Sequence, residues 1–200
     1  MWFLSWLHIT LITGAANAQP MTATEFEAAA LTFRAATVKQ WKVTAPASPA
    51  SWRRGCRDIE AACAWHWLDE GPRYWIPLLI LAYTENGMRE QGNPKDPSYN
   101  RWGTTVDDAR EVSRWLCIPV PASDRALVHR LQVDGAFAAL ITAGELKLCL
   151  RASNGRLERA IVRYKLGRHC DLGCCRAQAR LAHWRRIRAA WTWSLQHARP

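Results

Sequence analysis

Hydrophobic positions recur along most of the chain at three- or four-residue spacing, and no convincing stretch alternates apolar with polar residues. This pattern predicts an all-α fold, a single domain of seven or so helices packed around the segment 78–83. The stretches with helical patterning are 22–41, 52–70, 74–86, 107–116, 124–131, 135–150, 156–164 and 176–193.

The stretch 74–86, YWIPLLILAYTEN, is apolar on every side and predicts the buried central helix of the domain. Pro77 suits the first turn of such a helix, and Gly87 follows where a left-handed C-cap favours glycine. Glu85 is therefore expected at the C-terminal end of a buried helix, where the helix dipole and the loss of water both favour the protonated carboxyl. A last-turn residue can also turn to solvent, so position alone leaves both alternatives open.

The N-terminal part of the chain is predicted to lie outside the compact domain. Thr24 is a candidate N-cap of a short helix, with Glu27 at the capping-box position. The stretch 44–51 concentrates Pro, Ala and Ser, a composition typical of flexible connections. We expect a helix and linker over 19–51, the domain over 52–193 and a tail over 194–200.

The first eighteen residues have the pattern of a signal peptide. An apolar segment without Lys or Arg, 2–12, leads to small residues that end in Ala-Asn-Ala, a cleavage pattern. The segment is short for a membrane span and lacks the usual basic start, so an uncleaved anchor is the alternative. We expect an exported protein, periplasmic or secreted.

Export would bring the seven cysteines into an oxidising compartment, where disulfides are the default. Seven is odd, so one thiol stays free or pairs with another chain. Cys56 and Cys63, two helical turns or about 10 Å apart, are too distant to bridge each other. The cluster HCDLGCC, 169–175, has zinc-ligand residue types without a standard zinc spacing, which favours a disulfide knot over a metal site. No metal or cofactor is expected.

The net charge of +10 is concentrated in 151–188, which has eleven Lys or Arg and two carboxylates. Such a surface on an exported protein is expected to attract anionic envelope polymers and lipid head groups, with nucleic acid not favoured. At the end of this segment and just beyond it, Leu181, Trp184, Ile187 and Trp191 recur at helical spacing with arginines between them. A helix that closes the core is favoured over a membrane-surface helix.

Three segments, in order, carry a resemblance to a known family. ILAYTENG, 80–87, is similar to a motif in which a buried helix delivers a catalytic Glu, with Asn86 in place of Ser. TTVDDAREVSRWLCIPVP, 104–121, is similar to a helix that runs into a Pro-containing turn. VDGAFAALITAGELKLCLRASNGRLERAIVRYKLG, 133–167, is similar to two helices that end in Tyr-Asn-x-Gly, with Lys165 in place of Asn. The family's Gly-Leu-Met-Gln segment is replaced by 101–104, Arg-Trp-Gly-Thr.

The chain thus resembles the lytic transglycosylases of the lysozyme-like superfamily, which cut peptidoglycan glycan strands. The resemblance implies a lysozyme-like helical domain and a single catalytic carboxyl group, Glu85. It also implies that Tyr164 and Gly167 lie at the substrate site beside Glu85, and that no metal or cofactor takes part. Tyr99 and Trp102, by residue type alone, are candidates for stacking on sugar faces.

Three alternatives stay open at this point. A hydrolytic lysozyme would need a second carboxylate, for which Glu90, Asp96, Asp107 and Asp108 are candidates. A non-catalytic glycan- or envelope-binding protein would explain the missing Gln and Asn of the family motifs. A cationic membrane-active protein, making peripheral membrane contact, would rely on the basic C-terminal helix.

Overall fold

The computed structural model describes residues 21–41, 47–64, 72–90, 99–168 and 170–197, and within these ranges it contains eight α-helices and no strand. The all-α prediction is confirmed. The proposed signal peptide, 1–18, lies outside the described residues. The helices are α1 (Ala23–Trp41), α2 (Pro49–Cys63), α3 (Pro72–Asn86), α4 (Val106–Leu116), α5 (Asp124–Val133), α6 (Gly135–Ala152), α7 (Leu157–Leu166) and α8 (Cys175–His197).

Helix α3 is the buried helix expected from its apolar sequence, because all five residues from Leu78 to Ala82 are fully buried. It begins at Pro72, so Pro77 lies inside the helix and the prediction that Pro77 belongs to the first turn was wrong. The starting proline suits a first helical position, where its missing N–H has no intrahelical partner to lose. Gly87 ends the helix in the left-handed region, φ 59°, as predicted.

Helix α1 packs into the core, contrary to the prediction that the compact domain begins near Trp52. Phe26 and Phe33 are fully buried. The Phe33 ring lies 5.4 Å from that of Tyr83 on α3 and 5.6 Å from that of Trp191 on α8, measured between centroids. The domain therefore includes α1, because its aromatic side chains fill the space between the central and terminal helices.

The predicted caps and linker at this end of the chain also need correction. The capping box of α1 is formed by Thr22, whose backbone N–H donates to Glu25 Oε2 at 2.8 Å, and not by Thr24 and Glu27. The expected linker 44–51 ends inside α2, where the side chain of Ser48 accepts from the N–H of Ser51 at 3.1 Å. Of that linker, 44–46 lie outside the described residues.

Helix α8 closes the core, which is the interpretation that the sequence favoured. Ala177, Trp184, Ile187 and Trp191 are buried, so two of the tryptophans of this basic helix are unavailable to a lipid surface. The helix continues to His197, so the expected tail from 194 is largely helical. In the described part of the chain, no helix has the length and apolar character needed to cross a membrane.

All seven cysteines are free thiols in the structure, so the predicted disulfide knot is not present. Cys56, Cys63 and Cys149 belong to the apolar core, where each packs as a small hydrophobic side chain. Cys174 instead lies at the start of α8, where its sulfur accepts from the N–H of Ala177 at 3.4 Å. No three His, Cys, Asp or Glu side chains among the described residues are placed to hold a metal ion; His169 is outside them.

Candidate functional site

A cleft of about 450 Å³ lies where the end of α3 meets α4, α6 and the end of α7. All three segments that carry the family resemblance contribute to its walls, although they are far apart in sequence. Its charged and hydroxyl-bearing lining residues include Glu85, Asp108, Glu111, Glu145, Tyr164, Lys165 and Arg168. The fold therefore brings the predicted carboxyl group, Glu85, together with the chain's other motif residues in one concave site.

Glu85 occupies the last turn of α3, with 27% of its side chain exposed. Gly103 packs directly against it: a Cβ at position 103 would lie 3.4 Å from Glu85 Cγ. Gly103 also has a φ of 76°, which favours glycine. The half-buried carboxyl group thus faces the cleft and is closely covered by backbone on one side.

Lys165 forms an ion pair with this carboxylate, its Nζ lying 2.6 Å from Glu85 Oε1. Only 8% of the Lys165 side chain is exposed, and this burial lowers the pKa of Lys165, an effect that the charge of Glu85 opposes. In the sequence Lys165 was noted only as a departure from the family's Asn. The observed site differs from the expected one, because the Glu85 carboxyl group at the end of α3 is paired with a buried lysine.

Tyr164 and Gly167 both line the cleft, as the resemblance implied. The Tyr164 hydroxyl donates to the carbonyl of Trp102 at 2.9 Å. Burial, and then the charge of Glu85, raise the pKa of Tyr164 well above its ordinary value, so this hydroxyl stays protonated. Gly167 has a φ of 93°, and a Cβ there would meet nothing within 4 Å, so the cleft is open beside it.

The two aromatic residues proposed to stack on sugars lie in different places. Trp102 lines the cleft, but it is 1% exposed and its indole N–H donates to the carbonyl of Leu78 at 3.0 Å, so its ring offers almost no surface to a sugar. Tyr99 is half-buried against the core and is not among the residues that line the cleft. Residue type alone gave no information on how each ring would be packed.

The segment Arg101 to Thr104, which replaces the family's Gly-Leu-Met-Gln, anchors the cleft wall to three helices. Arg101 donates to the carbonyl of Ser51 at 2.9 Å and lies 3.4 Å from Asp58 Oδ2, both on α2. The Thr104 hydroxyl lies 3.1 Å from that of Thr142 on α6, and Trp102 bonds to α3. These contacts hold Gly103 against the catalytic candidate.

Glu145 is a site residue that the sequence reasoning missed. It is 8% exposed; its Oε1 lies 3.0 Å from Arg168 Nε, and its Oε2 is buried with no hydrogen-bond partner. Burial is the main reason that the pKa of Glu145 is raised, with Arg168 opposing it. The available signal was that Glu145 is the one acidic residue of α6, in the middle of the apolar run 136–146.

The four candidates for a second catalytic carboxylate lie in different environments. Asp108 lines the cleft, but its Oδ2 accepts from the N–H of Thr105 at 3.1 Å in a capping box. Asp107 is exposed and Glu90 pairs with Arg54 at 3.1 Å on the surface, so neither is part of the cleft lining. Asp96 lies outside the described residues.

Comparison of the chain with protein-family models, with curated proteins and with solved structures gave no match.

Proposed function

We propose that this protein is a peptidoglycan lytic transglycosylase with a lysozyme-like helical domain, and that Glu85 is its single acid/base residue. It would act as an exported, periplasmic or secreted enzyme on the bond between N-acetylmuramic acid and N-acetylglucosamine. No metal or cofactor is required by this chemistry. Its partners would be glycan strands and, through the basic C-terminal region, anionic envelope polymers.

The observation that carries the proposal is the convergence of three separate motifs on one cleft. The resemblance was drawn from the segments 80–87, 104–121 and 133–167 by their order and spacing alone. In the fold, Glu85 comes from the first, Asp108 and Glu111 from the second, and Tyr164 from the third, and all of them line the same cavity. Core packing of four helices would not by itself require that residues from all three motifs meet at one cleft.

The proposed reaction has two proton transfers at the same carboxyl group. Glu85 first protonates the glycosidic oxygen, so that the bond breaks with the leaving sugar carrying that proton. The resulting carboxylate then removes the proton of the muramic acid 6-hydroxyl, whose oxygen bonds to the anomeric carbon and closes a 1,6-anhydro ring. The proton returns to Glu85, and no water is consumed.

Lys165 sets a condition on this reaction. Its ammonium group lies 2.6 Å from Glu85 Oε1, whereas the first step needs this carboxyl group to reach the glycosidic oxygen. Lys165 must therefore move away from Glu85 when the substrate enters the cleft. The pair describes a resting site, and the four-carbon stem of lysine provides the freedom for this displacement.

The same ion pair favours one other function, that of a glycan-binding protein which does not cut. In that case Lys165 would remain on Glu85 in the complex and neutralise it permanently. The two functions share the cleft and the ligand, and differ only in whether Glu85 is used.

The experiment is release of soluble fragments from purified, insoluble peptidoglycan by wild-type protein, Glu85→Gln and Asp107→Asn. Asp107→Asn is the matched control, because it removes an exposed carboxylate near the cleft but not in it. We expect release by wild type and Asp107→Asn, and a loss of about 10² to 10⁴-fold in Glu85→Gln. If all three proteins sediment with peptidoglycan and none releases fragments, the protein is a binder.

A further inference from the structure

Helix α8 places two arginines and a histidine near Lys165, since the charge of Arg180 acts on Lys165 and the charge of Lys165 acts on His183. Arg180, His183 and Arg186 follow one another at three-residue spacing, which places them as neighbours along the helix surface. Arg180 and Arg186 are exposed and His183 is half-buried. We refer to these three residues together with Lys165 as the cationic cluster.

The pairing of α7 with α8 shows why Lys165 belongs to this cluster. Glu158, near the start of α7, lies 3.0 Å from Arg185 and 3.5 Å from Arg188 of α8. Lys165 comes seven residues, or about 10 Å, farther along α7. There the charge of Arg180 acts on Lys165, so this distance along α7 leads to the neighbourhood of Arg180 on α8.

The position of Arg180 on α8 is unusual for an arginine. Ala177, Trp184 and Ile187 mark the stripe of α8 that faces the core, and all three are buried. Arg180 lies on the same side of the helix, between Ala177 and Trp184, and yet it is exposed. The packed face of α8 is therefore interrupted at Arg180, whose side chain is exposed near Lys165.

The cluster has more positive charge than its neighbours neutralise. Lys165 has Glu85 as its partner. No ion pair or hydrogen bond joins the side chain of Arg180 or Arg186 to any residue in the described part of the chain. In agreement, the pKa of His183 is lowered by burial and then by the charges of Arg186, Lys165 and Arg180. Exposed cations held close together beside a cleft favour an anionic ligand.

We propose that Lys165, Arg180, His183 and Arg186 form a binding site for carboxylate groups carried by the glycan strand. This inference rests on the proposed function, because muramic acid carries a lactyl carboxyl group, or a peptide with carboxylates, beside the bond to be cut. The arginines bind a carboxylate through two N–H donors, and Lys165 leaves Glu85 to share in its binding. The anionic substituent thus frees the catalytic carboxylate.

The test measures binding by titration calorimetry in the Glu85→Gln background, where no cutting occurs. Three soluble ligands of equal length are compared: muramic acid-containing oligosaccharides with free lactyl carboxylates, the same oligosaccharides as methyl esters, and neutral N-acetylglucosamine oligomers. Oligomeric glycerol phosphate serves as a fourth ligand, since phosphate would also be attracted by the cluster.

The variant that removes the proposed binding groups is Arg180→Gln/Arg186→Gln. The control, Arg125→Gln/Arg156→Gln, removes the same charge from exposed arginines on α5 and next to α7.

We expect the free carboxylate ligand to bind about tenfold or more tightly than its ester and the neutral oligomer, in line with charge-assisted hydrogen bonds. This preference should vanish in Arg180→Gln/Arg186→Gln and persist in the control. Equal binding of the three glycans would overturn the inference while leaving the proposed function in place. Preferential binding of glycerol phosphate would also overturn it. Absence of binding by every glycan would instead count against the proposed function itself.

Discussion

Lys165 Nζ lies 2.6 Å from Oε1 of Glu85, so the carboxyl group that ends the central helix has a buried cation as its partner. The ammonium group thus occupies one oxygen of the carboxyl group proposed to act on the glycan. In the proposed reaction this is a resting arrangement, from which Lys165 must move before Glu85 can reach a substrate.

Replacing Lys165 with Asn, the residue of the family motif, should increase the proposed cutting of peptidoglycan. The substitution removes the ammonium group that lies 2.6 Å from Glu85 Oε1, so the carboxyl group can contact a glycosidic oxygen without first displacing an ion pair. We expect release of soluble fragments to be faster than in wild type. Initial rates at equal protein concentration test this, with Arg156→Gln as a control for lost positive charge. A folded variant that releases nothing would show that Lys165 itself is needed for the reaction.

Removing Arg101 should destabilise the whole domain. The Arg101 side chain is 4% exposed and bridges the cleft wall to Ser51 and Asp58 on α2. Arg101→Met leaves a largely buried carboxylate without its partner, which typically costs about 3 to 5 kcal/mol. Arg54→Met is the matched control, since the Arg54–Glu90 pair is exposed and should contribute less than about 1 kcal/mol. Urea unfolding of both variants measures the difference, and equal losses would contradict the anchoring role.

The cysteines should titrate as seven thiols in denaturant when the protein is purified without reductant, because all seven are free. In the native protein, exposed Cys117 and Cys175 should react first. Cys56 and Cys63 should be protected, since burial raises the pKa of each to about 12 and keeps the thiol protonated. Colorimetric thiol counting before and after denaturation reads both groups. A count of five or fewer in denaturant would show that disulfides form after all.

Glu145→Gln should stabilise the protein increasingly as pH rises. The pKa of Glu145 is raised above its ordinary value of 4.5, mainly by burial, with Arg168 opposing and Asp108 and Glu111 adding to the shift. A raised pKa in the folded state means that the stability contributed by the protonated group is present at low pH and lost as pH rises through that pKa. The variant has no such loss. Its melting temperature relative to wild type should therefore increase between pH 4 and pH 8, and a constant difference would show that Glu145 does not titrate abnormally.

Much of the fold was predictable from local patterns, because helix formation in this chain follows apolar spacing and capping residues closely. The buried helix α3, its glycine C-cap and the core-closing face of α8 are examples. The wrong predictions concern where a helix begins, at places where two nearby residues of the same type could each mark the start. Pro77 is predicted in the first turn of α3 although the helix begins at Pro72, and Thr24 is predicted as the cap of α1 although Thr22, two positions away, forms it.

The site was less predictable, since it depends on directions that only tertiary packing sets. Glu85, Tyr164 and Gly167 could be identified from motifs, and the fold places all three at the cleft. Trp102 also lines the cleft, but its burial could not be predicted, because its indole N–H bonds to the carbonyl of Leu78, 24 positions away. Glu145 was visible as a lone acid in an apolar helix, but its contact with Arg168 joins residues 23 positions apart and has no local signature.

Mass spectrometry of the soluble products shows whether Glu85 cuts the glycan strand with closure of a 1,6-anhydro ring, as we propose. Purified peptidoglycan is incubated with wild-type protein and, separately, with Glu85→Gln that has been shown to fold. We predict muropeptides one water lighter than hydrolysis products from wild type and none from Glu85→Gln. Products with free reducing ends would contradict the claim by showing hydrolysis, and equal product from both proteins would show that Glu85 is not the acid/base.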